Sequence, residues 1–319
     1  MGKIYLSLTS PKFLWDTNDF SIMKKLKFLP IIVLVLSCNK NTNYVAADDV
    51  FISDNIVYAV GSTCEGTSET NCPTLWFDSN VQNIGSIGNF NTAKSVFVEG
   101  SDVYVTTRED MKCYIWKNGE KKIIDDATEL SSLFVKDRNV YIAGSYNEQP
   151  TIWINNDRKM LSHETGCVND ILVYDNDIYA VGYLGSVFNP QAVLWKNGKM
   201  EKLGNNNSEA NAILIHNGNL YIAGKNNNCA TLWINGQSST LEYKKSHAYS
   251  VALLGNDIYV GGQGFDEDWR SCSRLWKNGT PLSIANEMGY QIMSVVADSE
   301  KLYVAGTGKN RNPIWIINN

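Results

Sequence analysis

Ala212-Ile-Leu-Ile-His216, Asn217-Gly218, Asn219-Leu-Tyr-Ile-Ala-Gly224, then Thr231-Leu-Trp-Ile234, Asn235-Gly236 and Ser239-Thr-Leu-Glu242: this stretch decides the fold. Its short apolar runs are rich in β-branched and aromatic residues and are bounded by polar turn residues, the pattern of β-strands. Asn-Gly at two of the joints supplies the consecutive positive-φ positions that a two-residue hairpin turn requires. The segment therefore reads as four antiparallel strands, with tight turns between the first and second and between the third and fourth.

The same phrases recur along the chain. The second-strand tyrosine returns as Tyr58, Tyr104, Tyr141, Tyr179, Tyr221, Tyr259 and Tyr303. The third-strand tryptophan returns as Trp76, Trp116, Trp153, Trp195, Trp233, Trp276 and Trp315, at steps of 37 to 43 residues. Four short strands per step, repeated at a near-constant period, predict a β-propeller. The two-residue alternation excludes a helical solenoid, and a β-sandwich would not keep the same phrases at a fixed step. The expected fold is all-β: a seven-bladed β-propeller of four-stranded antiparallel blades spanning 48–319.

The Leu-Trp ending of the third strand, as in Leu75-Trp76 and Leu232-Trp233, is similar to that of WD40 repeats. No Gly-His precedes the units, and Lys, Ile or Phe follows the Trp where those repeats have Asp. The resemblance thus implies the propeller architecture and no subfamily. The seventh unit ends just after its third strand, so the missing fourth strand is expected from Thr42 to Ala46, an N-terminal strand that closes the ring. The Trp series and the Gly after each Tyr run are read as packing between blades.

Upstream, Met23 to Cys38 reads MKKLKFLPIIVLVLSC. A basic start is followed by an apolar run too short to span a bilayer, and then by Ser37-Cys38. The stretch resembles a bacterial lipoprotein signal with Val35-Leu36-Ser37-Cys38 as lipobox, Leu36 standing where a smaller residue is commoner. The resemblance implies a start at Met23, cleavage that removes residues 1–37, lipid on Cys38, a tether and closing strand over 38–47, and a body held at the cell envelope, on the outer membrane or cell surface. In such an oxidising compartment Cys64 and Cys72, close together in one loop, are the expected disulfide.

Formal charge is −5 over the chain; the segment before Cys38 carries five Lys against two Asp, which leaves −8 from Cys38 onward. A net-acidic body with no basic run argues against nucleic acid as a partner. No phosphate loop, dinucleotide fingerprint, nucleophile elbow or metal-binding helix motif occurs, and His163 and His247 stand two units apart, so neither cofactor nor metal is expected.

Function is expected on one face. The tight hairpin turns share one end of the strands, while the second-to-third and unit-to-unit connections share the other and vary in length. From Tyr to Trp the count is 12 in four units but 18, 16 and 17 in units 1, 4 and 6. Such insertions mark a working face. Unit 4 offers Tyr183 and Phe188 there, and unit 6 offers Trp269 beside Asp266, Glu267, Asp268 and Arg270, an aromatic face with polar rims suited to a sugar ring or a peptide. Nine residues before each Tyr lies a small, mostly polar ring: Asp49, Ser95, Ser132, Asp170, Ala212, Ser250 and Ser294. Asp49 and Asp170 are its charged members, either a functional pair that holds a cation or acts as acid and base, or caps on backbone N–H groups. The expectation is a non-enzymatic binding module for a glycan or protein. A propeller-fold polysaccharide hydrolase or lyase, and a scaffold subunit of an envelope assembly, stay open.

Overall fold

In the computed structural model, residues 31–33, 42–65, 70–78, 80–266, 268–282, 290–307 and 313–318 are described; Cys38, Glu267 and residues 66–69 lie outside this set. The protein is a β-propeller. Five separate four-stranded antiparallel sheets follow one another along the chain, and a nine-stranded sheet joins the first unit to the last. The inner strands Thr42–Ser53, Thr92–Glu99, Glu129–Lys136, Gly166–Tyr174, Glu209–His216, His247–Leu254 and Gln291–Ala297 each touch the next. The last returns to the first, so the contacts form a closed ring.

Each tryptophan of the repeat packs against the preceding unit. Trp116 clusters with Val60 and Leu75, Trp195 with Ala143 and Ile152, Trp233 with Val181 and Ala192, and Trp315 with Tyr259 and Leu275. Trp76 closes the ring by packing on Tyr303, Ala305 and Ile314 of the last unit. Burying an aromatic of this size at every interface is what holds adjacent sheets face to face.

The glycine three residues after the repeat tyrosine has a specific job. Every inner strand carries a β-bulge near its start, between Ala47 and Asp49 in the first unit and between Ala210 and Ala212 in the fifth. One residue before the bulge, a backbone carbonyl stands close to the second strand. A Cβ on Gly61, Gly144, Gly182, Gly224 or Gly262 would stand 2.0 Å from that oxygen, and one on Gly306 would stand 2.2 Å from it. Glycine is needed in these six places, and the bulge is what re-aims one inner-strand side chain. Unit 2 has Thr107 at this position and keeps the bulge between Ala93 and Ser95.

The hairpin end is closed by a repeated polar clamp. In units 2, 4 and 6 the turn asparagine (Asn118, Asn197, Asn278) accepts from a backbone N–H of the second strand at 2.8–2.9 Å and donates to an aspartate (Asp102, Asp177, Asp257) at 2.7 Å. The preceding lysine pairs with that same aspartate at 2.7–2.8 Å and lies 4.8–5.3 Å over the repeat tyrosine ring. The repeat tyrosine is therefore a lysine platform in these units as well as a packing residue.

Two expectations are corrected. Thr42 to Ala46 does not complete the last unit; Thr42–Ser53 is one long inner strand of the first, paired with Ile56–Glu65. The outer strand of the last unit is Ile31–Val33, antiparallel to Ile314–Asn318 with Ile31 opposite Ile317 and Val33 opposite Trp315. The closing strand is N-terminal, but it comes from the stretch read as signal, whose β-branched Ile-Ile-Val suits a sheet edge equally well. The Cys64–Cys72 disulfide does not form. Cys64 lies opposite Asn71 and Cys72 opposite Thr63, so successive side chains alternate the two cysteines onto opposite faces of the sheet.

Candidate binding face and channel mouth

The bulges determine what faces the channel. In each unit the residue skipped by the ladder sits one place before the predicted ring: Asp48, Lys94, Ser131, Asn169, Asn211, Tyr249 and Met293. With the predicted ring they line a cavity of about 450 Å³ at the channel mouth. This second, chemically mixed ring was not anticipated. Its signal was the glycine at Tyr plus three, which marks the bulge.

Asp49 and Asp170 occupy the predicted ring and act as staples between units. Asp49 accepts from Ser95 Oγ and Val96 N at 3.0 Å, from Val50 N at 2.8 Å and from Ser294 Oγ at 2.9 Å, tying the first unit to the second and last. Asp170 accepts from Ser132 Oγ at 2.7 Å, Ile171 N at 2.8 Å and Ile213 N at 2.9 Å, joining three units. Burial raises both to about 6, and the donors around them limit that rise. Ser95 and Ser250 repeat the staple by accepting from Leu133 N and Val295 N. Of the two expected roles, the geometry describes the backbone cap.

A polar network continues the mouth across units 4 to 6. Asn169 donates to Glu209 and Asn211 at 3.2 Å, and Glu209 pairs with the buried Lys225 at 3.1 Å. Tyr249 donates to Gln263 at 3.0 Å, with its hydroxyl 3.3 Å from His247 Nδ1. Burial, with Lys225 and Lys245 nearby, lowers His247 to about 4, so its ring is neutral at pH 7.

The predicted loop residues separate into different environments. Tyr183 is on the second strand of unit 4, between Cys167 and Ala192, half-buried, with its hydroxyl pushed up by burial. Phe188, in the connection that follows, is 90% exposed, and Trp269 is 76% exposed. Those two lie in connections two units apart. Around Trp269 the polar rim is spent inside its own loop. Arg270 pairs with Asp266 at 3.0 Å and Asp268 at 2.7 Å, and Asp266 also accepts from the backbone of Asp268 and Arg270. The longer Tyr-to-Trp count of unit 1 is taken up largely by strands, Ile56–Glu65 and Thr70–Phe77.

The distribution of exposed apolar side chains is one-sided. Every described large hydrophobic residue more than half exposed is in a second-to-third or unit-to-unit connection: Ile87, Phe90, Met111, Val187, Phe188, Tyr243, Trp269 and Tyr290. The clamped hairpin end has none.

Neither a protein-family model nor a curated protein matches the sequence. Among solved structures, the β-propeller domain of the Trilobed protease from Pyrococcus furiosus matches with TM-score 0.53 and 14% identity, over 86% of this chain and 96% of that one. An acylaminoacyl peptidase in complex with a chloromethyl ketone matches with TM-score 0.54 and 16% identity over 83% of this chain. The Pyrococcus horikoshii acylaminoacyl peptidase matches with TM-score 0.51 and 14% identity over 82%. The chain spans about half the length of these two peptidases, 49% of each. At these identities the likeness establishes the β-propeller fold.

Proposed function

We propose that this chain is a binding protein of the cell envelope, tethered through lipid on Cys38, that captures a glycan or another protein on its loop face. The observation that carries the reading is the confinement of the strongly exposed aromatic and aliphatic side chains to that face. Soluble proteins seldom leave such residues grouped on one side unless something covers them. Phe188 and Trp269 present whole rings, the shape that stacks on a sugar or fills a partner's pocket. The hairpin face, closed by lysine–aspartate–asparagine clamps, offers no comparable groups.

The test is capture on an array of glycans and envelope proteins by the intact chain and by the double variant Phe188→Ala, Trp269→Ala. Capture should fall at least about tenfold in the variant, the loss of one good aromatic contact or more. Equal capture by both proteins would reject this face as the site.

A second reading, a hydrolase, draws on the likeness to peptidase structures. It would require Asp49 or Asp170 to work on a substrate although their oxygens hold neighbouring units together. Turnover of a polysaccharide or peptide that disappears in Asp49→Asn or Asp170→Asn variants that remain folded would favour it.

A further inference from the structure

We infer that a pocket beside the channel mouth, between the last unit and the second, binds a small zwitterion with free ammonium and carboxylate groups, of amino-acid to dipeptide size. This goes beyond the binding-protein reading; it shares the loop face with it but not the exposed aromatic pair.

The pocket has a volume of about 320 Å³, within the range of small-molecule sites. Arg108, Lys94, Asp48 and Glu129 line it, with Phe90 and Thr307. Two of these charges already pair, Lys94 with Asp48 at 3.5 Å. The other two do not. Arg108 makes its described side-chain bond to the sulfur of Met111 at 3.4 Å, and no ion pair joins it or Glu129 to any described residue. A guanidinium and a carboxylate that share a cavity without meeting each other are two recognition points of opposite sign. The planar guanidinium suits a carboxylate through paired N–H donors, and the carboxylate suits an ammonium.

Thr307 also lines the cavity and is 5% exposed, with its hydroxyl buried. Phe90, 78% exposed and held at φ +63, adds an apolar wall for the ligand's side chain. A ligand of one charge only would leave one of the two recognition points unused.

Calorimetric titration tests this with L-phenylalanine, glycyl-L-phenylalanine, N-acetyl-L-phenylalanine and L-phenylalaninamide. The two zwitterions should bind, and each blocked form should bind roughly tenfold more weakly or worse, the loss expected for a charge-assisted contact. Arg108→Gln should remove the penalty against the amide, and Glu129→Gln the penalty against the N-acetyl form. The Phe188→Ala, Trp269→Ala variant should bind the zwitterions normally, which separates this site from the aromatic face. No binding of either zwitterion, equal binding of the blocked forms, or unchanged affinity in both charge variants would overturn the inference.

Discussion

At the scale of single residues, Asp49 and Asp170 illustrate how a ring of small polar side chains can look catalytic and be structural. Both carboxyls are raised to about 6 because burial disfavours their charged form. An acid raised on folding binds more protons folded than unfolded between about pH 4 and 6. The stability it contributes is therefore lost as pH rises through about 6. Glu109 runs the other way: burial alone would raise it, but Lys121 and Ser86 hold it below the usual range, so its effect falls in more acidic solution. Asp49 and Asp170 should therefore add stability as pH drops from 7.5 to 5, while His247, lowered to about 4 by burial, subtracts from it over the same range because the unfolded imidazole takes up a proton that the folded ring does not. Denaturant unfolding at both values checks this. Asp170→Asn, which cannot ionise, should make the change on acidification less favourable by its own share, about 1 kcal/mol, even though the variant is less stable throughout. An unchanged response would mean that Asp170 is not one of the groups responsible.

At the scale of elements, the hairpin turns were legible and their clamps were not. Asn-Gly announced positive φ, and Asn197 and Gly198 have φ of +51° and +83°. That Asn197 also accepts from Ile178 N at 2.9 Å and holds Asp177 at 2.7 Å needed coordinates, because partners 19 and 20 residues away leave no mark beside the turn. Asn197→Gly keeps the backbone conformation and removes the side-chain bonds, for a loss of about 1 kcal/mol. Asn197→Ala also loses the side-chain bonds, but keeps a Cβ in the left-handed region without the amide that favours asparagine there, and should lose about 1–2 kcal/mol more than the glycine variant. Chemical denaturation of the two variants separates the terms; equal losses would show that backbone strain contributes nothing here.

The bulge is the element that matters most for the site. The tyrosine-to-glycine spacing was visible in the sequence, but it was read as packing alone. Its consequence, the turning of Asp48, Lys94, Asn169 and Tyr249 toward the mouth, follows from a one-residue register slip between two strands. A slip of that kind is a property of a pair of strands, and no single stretch contains it.

At the scale of the whole molecule, ring closure and cellular address bear on one another. Ile31–Val33 covers the outer edge of Ile314–Asn318. Cleavage before Cys38 would remove that strand and bare a sheet edge. A chain that begins at Cys38, carrying Cys38→Ser, should still unfold cooperatively, with a melting temperature lower by about 2–8 °C for the loss of ~1–2 kcal/mol of edge pairing. Calorimetry on the two lengths decides this. A truncated chain that fails to fold would make the strand indispensable and would count against a lipid-anchored mature form.

By itself the sequence determined the all-β repeat, its strand order and the face on which connections vary, because hydrophobic alternation, Asn-Gly turns and the Trp step are local and periodic. It also located the two ring aspartates. Tertiary structure alone decided that those aspartates staple neighbouring units and that Arg270 is neutralised inside its own loop. It alone put Cys64 and Cys72 on opposite faces, and Arg108, Glu129 and the unsatisfied Thr307 around one cavity. These facts depend on the register between strands and on closure of the ring. Closure brings residues 48 and 307, the two ends of the repeat, to one pocket.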